Sequence, residues 1–218
     1  MRLFAFVAAL SMVVITSAPA SAAWEEYLFE DLGIAKEFPV EPTRSQTVYR
    51  GAEFSERRTA VAGRDRPATL LSVEVDNIIF RMFVVDFSDK IEQSASILGE
   101  CVYLAEDAGV GEGKEVLANM NTRVEPGANA VYGRLITVDL GEEVGRKMTA
   151  CFFTKGNLYQ IEAHVLPAHG DMNSPFAVRF GNSMRFNIEH DYGGDEAEAA
   201  AAWQYYLEHG EYPDEDDE

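Results

Sequence analysis

The chain has 218 residues with 18 Lys and Arg against 37 Asp and Glu, a formal charge of −19 at pH 7 and a pI near 4.5. Hydrophobic residues at 47% and charged residues at 25% are ordinary for a globular protein, and exclude a collagen, a low-complexity chain and a multi-span membrane protein. An acidic surface repels phosphates, so no nucleic-acid partner is expected, and the length suits one domain with a core of its own.

Met1-Arg2 opens the chain, and an apolar run from Leu3 to Ile15 follows, broken only by Ser11. Ala20 and Ala22 then stand in the small-x-small arrangement that a signal peptidase accepts. The run is too short to cross roughly 30 Å of hydrocarbon as a helix. Residues 1–22 are therefore expected to be a signal peptide, with a periplasmic or secreted chain beginning near Ala23 or Trp24 and no transmembrane segment after cleavage. Removing residues 1–22 takes away one positive charge, Arg2, and leaves −20.

Trp24–Glu30 and Ile34–Phe38 read as short strands around a turn at Asp31-Leu32-Gly33, the second ended by Pro39 and Pro42, which cannot donate to a ladder. Gln46–Phe54 reads as a further strand, and the polar stretch Gly63–Pro67 as a loop. Thr69–Asp86 is a hairpin about Asp76-Asn77, which pairs Val75 with Ile78, Val73 with Phe80 and Leu71 with Met82 on one apolar face. On its other face Glu74 and Arg81 are diagonal neighbours, read as a cross-strand ion pair.

Between Ser88 and Ala108 the apolar period changes to three and four through Ile91, Ala95, Leu98, Cys101 or Val102, and Ala105, an amphipathic helix capped by Ser88 and stopped at Gly109. Gly109-Val110-Gly111-Glu112-Gly113 follows a helix rather than opening one, so it reads as helix stop and turn and not as a phosphate cradle. Strands are expected at Lys114–Glu125, Ala130–Leu140, Arg146–Lys155 and Asn157–Leu166. The last two join through a turn at Gly156-Asn157 that sets Phe152 against Ile161, Ala150 against Ala163 and Cys151 against Glu162. Pro175–Phe186 reads as a closing helix with Phe176, Val178 or Phe180, Met184 and Phe186 apolar. Strands, helix, strands, helix make residues 23–188 an α+β domain around a mainly antiparallel sheet.

From Glu189 to the end there are 12 acidic residues and no Lys or Arg. This acidic tail, residues 189–218, holds an alanine-rich helix at about 195–209 with Trp203, Tyr206 and Leu207 on one side. The remainder is expected to stay unfolded.

Two segments carry a resemblance. Tyr27…Asp31-Leu32-Gly33-Ile34…Phe38-Pro39 resembles the opening of PsbP/Mog-like domains, and Phe180-Gly181-Asn182-Ser183-Met184-Arg185-Phe186 is similar to their closing helix-to-strand segment. The resemblance spans roughly residues 24–188. It implies an antiparallel sheet sandwiched by helices, and a non-enzymatic binding or accessory module. It carries no functional residue onto this chain.

The nucleophile-elbow, Walker, H-E-x-x-H and C-x-x-C patterns are absent from the sequence. The weak catalytic or metal candidates are Glu162 and His164 on one strand face, with His169 and Asp171 just beyond; a polar strand end running into a loop is the plainer reading. Cys101 and Cys151 are the two cysteines of the sequence, and they stand as a disulfide or as two buried thiols, the exported compartment favouring the bond. The expectation is a non-catalytic binding or accessory module, a monomer without cofactor, its protein or small-molecule partner unspecified. The alternatives are a small hydrolase or metal-dependent enzyme built on Glu162 and His164, and an envelope assembly protein acting through its tail.

Overall fold

The computed structural model describes residues 24–51, 65–124 and 130–186. The expected leader and its cleavage site, and the acidic tail with the helix expected in it, lie outside the described residues.

Seven strands form one antiparallel sheet: β3 (Thr43–Arg50), β4 (Asp65–Val75), β5 (Ile78–Asp86), β6 (Glu115–Val124), β7 (Val131–Asp139), β8 (Arg146–Thr154) and β9 (Asn157–Val165), in the order β3-β4-β5-β9-β8-β7-β6. A smaller antiparallel sheet sets β2 (Ile34–Phe38) between β1 (Glu25–Phe29) and β10 (Met184–Arg185). Helix α1 (Ser94–Asp107) covers β7, β8 and β9 on one face of the large sheet. Helix α2 (Pro175–Asn182), over β9, β8 and β5, lies with the small sheet on the other. The α+β class read from the sequence is the observed one.

Hairpin β4–β5 forms as the pattern dictates. Asp76 and Asn77 take φ values of 52° and 59°, the left-handed pair that a two-residue turn needs for strands with right-handed twist. Val75 meets Ile78, Val73 meets Phe80 and Leu71 meets Met82. Strand β5 then pairs with the distant β9, bringing Met82 to Ile161 and Phe80 to Ala163.

Several expectations are corrected. Asp65–Pro67 belong to β4 rather than to a loop, with Pro67 opposite Val48 of β3, and β3 itself starts at Thr43. The β8–β9 turn is Lys155-Gly156, at φ 49° and 80°, not Gly156-Asn157. That shift of one residue moves the register by two: Phe152 meets Tyr159, Ala150 meets Ile161, Cys151 meets Gln160 and Thr149 meets Glu162. Each residue keeps its face, because side chains alternate with period two.

The first helix also differs. Ser88–Gln93 is a 3-10 segment kinked at Lys90, and its first amide, that of Ser88, is bonded by the Asp86 carboxylate at 2.7 Å rather than capped by the Ser88 hydroxyl. Ile91 and Ala95 are exposed, and the buried stripe of α1 is Ile97, Cys101 and Ala105, with Glu100 buried beside it. The closing helix ends at Asn182, and the chain turns into β10, so Val178 is exposed while Met184 and Phe186 are buried. Among the described residues no ion pair joins Glu74 to Arg81; Arg81 stands between Ser72 and Glu162 on the ladder.

The main core lies between the large sheet and the α2 layer. Phe180 of α2 sits between Phe38 and Phe80 with ring centroids at 5.1 and 4.9 Å, and Trp24 lies edge-on to Phe80 at 5.5 Å. Lys36 is wholly buried there, its ammonium 4.1 Å from the Phe180 ring centre. It donates to the Phe180 carbonyl, the Ser183 carbonyl and the Ser183 hydroxyl, satisfying acceptors left over at the end of α2. Burial lowers its affinity for the proton, against the opposing pull of Glu37. On the opposite face Ile97, Cys101, Cys151, Phe87 and Leu158 form a second cluster. Cys101 and Cys151 are joined there as a disulfide with Cα atoms 6.3 Å apart.

Candidate functional site

On the α1 face, even-numbered residues of β9 and odd-numbered residues of β8 point towards the helix. Glu162 and Lys147 are therefore on the same surface, and β3 and β5 bring Tyr49 and Phe83 to it. Between these strands and α1 lies a cleft of about 310 Å³ lined by Val48, Tyr49, Phe83, Leu104, Lys147 and Glu162, with Gln160, Arg50 and Ala105 at its margins.

Glu162 is 8% exposed. Its Oε1 accepts from Gln160 Nε2 at 2.8 Å and from Lys147 Nζ at 3.4 Å, an ion pair shielded on both sides. Facing it, the Tyr49 hydroxyl is buried and has no hydrogen-bond partner among the described residues. Burial first, and then the Glu100 and Glu162 carboxylates, push the Tyr49 phenol above its ordinary range, so it stays protonated. The cleft thus carries the Glu162 carboxylate, the Lys147 ammonium and the Arg50 guanidinium among apolar carbons, with the Tyr49 hydroxyl buried in its wall.

The other sequence candidates do not join it. His164 hydrogen-bonds the Val144 carbonyl through Nε2 at 2.8 Å, and His169 the Asp76 carbonyl through Nδ1 at 2.7 Å. Asp171 accepts the Asn173 amide at 2.9 Å and so folds its own loop. Among the described residues, no group of three or more His, Cys, Asp or Glu side chains gathers as metal ligands. Glu162, His164 and Asp171 are separate features.

Tyr49, Glu100 and Lys147 were not singled out by sequence reasoning. One signal was available: Glu100 follows Ile97 by three and precedes Leu104 by four, in phase with the buried stripe of α1. The convergence of Tyr49 with Glu162 is set by the β5–β9 pairing, which no local pattern carries.

No protein-family model matches the chain, and no curated protein is matched by its sequence. It is similar in structure to cyanobacterial PsbP (CyanoP) from Synechocystis sp. PCC 6803, solved in solution, at 12% identity and a TM-score of 0.44, over 81% of this chain and 98% of that one. The α+β description rests on the sheet order and helix placement given above. Among the described residues no helix is long and apolar enough to cross a membrane.

Proposed function

We propose that the protein is an exported, non-catalytic binding or accessory module whose binding surface is the cleft between α1 and the sheet. The observation that carries this reading is that its acid and imidazole groups stand apart, each bonded to different neighbours. Glu162 is held by Lys147 and Gln160, and His164, His169 and Asp171 each bond the backbone. A catalytic base works with a nucleophile and an orienting group in hydrogen-bond reach of one another, and Glu162 is bonded to Lys147 and Gln160 while both histidines and Asp171 are bonded elsewhere. The cleft offers instead what recognition uses: apolar walls and a few fixed charges. The buried disulfide and the signal-like first 22 residues support an oxidising destination.

The test has two arms. Wild type and Glu162→Gln are assayed against chromogenic carboxylic, phosphate and glycoside esters, with and without divalent cations; the expected result is no turnover that separates them. A hydrolysis abolished by Glu162→Gln would overturn the reading in favour of a hydrolase. N-terminal sequencing of the exported protein should start at Ala23 or Trp24, and an intact Met1 would remove the exported address.

A further inference from the structure

On the α2 face the short helix leaves part of the large sheet bare. Helix α2 has 8 residues and packs over β9, β8 and β5, whereas β7 and the edge strand β6 lie beyond it in the sheet order. Met120 pairs with Leu135, Thr122 with Gly133 and Ala118 with Thr137, and Leu135 stands in turn beside Ala150 of the main core. Paired residues point the same way, so this strip of two strands shares the α2 face, and none of its residues is charged.

The helix borders the strip directly. A Cβ added to Gly181 would lie 3.7 Å from Leu135 Cδ1, and the Thr122 hydroxyl donates to Asn182 Oδ1 at 3.5 Å. Val178, one turn before Gly181 on the same side of α2, lines a small cavity together with Thr137. Val178 is 50% exposed and Met120 51% exposed, so both margins of the strip are apolar and open among the described residues. An apolar surface of this kind on a charged protein marks a contact.

We propose that the strip is the docking surface of residues 195–209, the alanine-rich segment expected to be helical, through Ala199, Trp203, Tyr206 and Leu207. Those four recur at spacings of three and four, on one side of a helix. The place where the described chain ends argues for this occupant. The Phe186 ring lies 5.9 Å from that of Phe152, Phe152 stands beside Gly133, and Gly133 beside Thr122. Phe186 is thus about two ladder steps, or about 10 Å, from β6. Residues 187–194 at full stretch span about 26 Å, more than the distance to be covered. The lengths also match: a helix over 195–209 is about 22 Å long, and Ala118 to Val124 extends about 20 Å along β6. A short tether holds the segment at an effective concentration in the millimolar range, whereas a second copy with its formal charge of −19 is repelled.

The test uses the full-length chain with ¹³C-labelled methionine methyls. Trp203→Ala should move the Met120 methyl signal and leave that of Met82, four strands away in the sheet order. A nitroxide is then attached at Glu208→Cys, where the new thiol is the reactive one because the two native cysteines are bridged. It should broaden Met120 more strongly than Met82 within one chain, and Val178→Glu, at an exposed position, should abolish that broadening. An unmoved Met120 signal in Trp203→Ala, equal broadening of Met120 and Met82, or broadening indifferent to Val178→Glu would each overturn the proposal. Broadening of Met120 in ¹³C chains mixed with unlabelled, nitroxide-bearing chains would overturn it too, and would assign the strip to a second copy. The strip lies on the opposite face of the sheet from the α1-side cleft, so failure here leaves the reading of that cleft untouched.

Discussion

Replacing Cys101 and Cys151 together with alanine opens a loop that spans all of β6 and β7 and both ends of the crossover from α1 to β8. The sequence separation is 50. In the chain-entropy description, closing a loop of that length removes about 14 cal/mol/K from the unfolded ensemble, or about 4 kcal/mol at 25 °C. Both cysteines are wholly buried in the cluster with Ile97 and Leu158, so alanine, rather than serine, avoids adding the cost of a buried hydroxyl. For a domain of this size, a loss of about 4 kcal/mol corresponds to a fall in Tm of roughly 8–16 °C. Urea unfolding of the wild type with and without a phosphine reductant, beside the double variant under the same conditions, measures it. The reduced wild type and the variant should coincide, and the variant should ignore the reductant. Two titratable thiols in denatured, unreduced protein would refute the bridge. A variant within about 1 kcal/mol of oxidised wild type would refute the loop-entropy reasoning.

Phe180→Ala removes the ring that Phe38, Phe80 and Lys36 share, and should cost about 3–5 kcal/mol in urea unfolding; a cost under 1 kcal/mol would mean that the α2 layer is not part of the main core. Alkaline pH should destabilise the fold. Burial pushes Tyr159 up to about 12 and raises Tyr49 too, while an unfolded phenol ionises near 10, so above pH 10 the unfolded chain loses protons that the folded chain keeps. The two tyrosines' contribution is fully present below pH 10 and is lost as pH rises towards 12, at up to about 1.4 kcal/mol per pH unit for each group. Lys36, shifted downward, acts in the opposite sense, but its window closes near the unfolded value of about 10.4. Unfolding free energies at pH 9.5 and 11.5 for wild type and the Tyr49→Phe, Tyr159→Phe double variant should show a steeper fall in the wild type; parallel curves would contradict the burial argument.

Local chemistry in the sequence determined the elements and most of their faces. Alternating apolar residues around Asp76-Asn77 specify both the β4–β5 turn and its register, because a two-residue turn with both φ positive admits only one pairing of Val75 with Ile78. At β8–β9 the same alternation is blind to a slip of two, which leaves every side chain on its face. Only the backbone of Lys155-Gly156 decides between the two registers. The bridge between Cys101 and Cys151 was readable as one of two options from compartment and pattern, and the crossing of α1 over β8 is what brings the two to bonding distance. Tertiary structure alone decided the sites. Lys36 reads as a polar residue in a strand until β10 and the end of α2 supply its acceptors. Tyr49 meets Glu162 because β3, β4, β5 and β9 follow one another across the sheet. Arg146 reaches Asn173 because α2 and the loop before it dock over β8 and β9. Periodicity and turn chemistry act over a few residues, whereas a pocket is assembled from segments tens of residues apart whose meeting depends on the energy of the whole packed core.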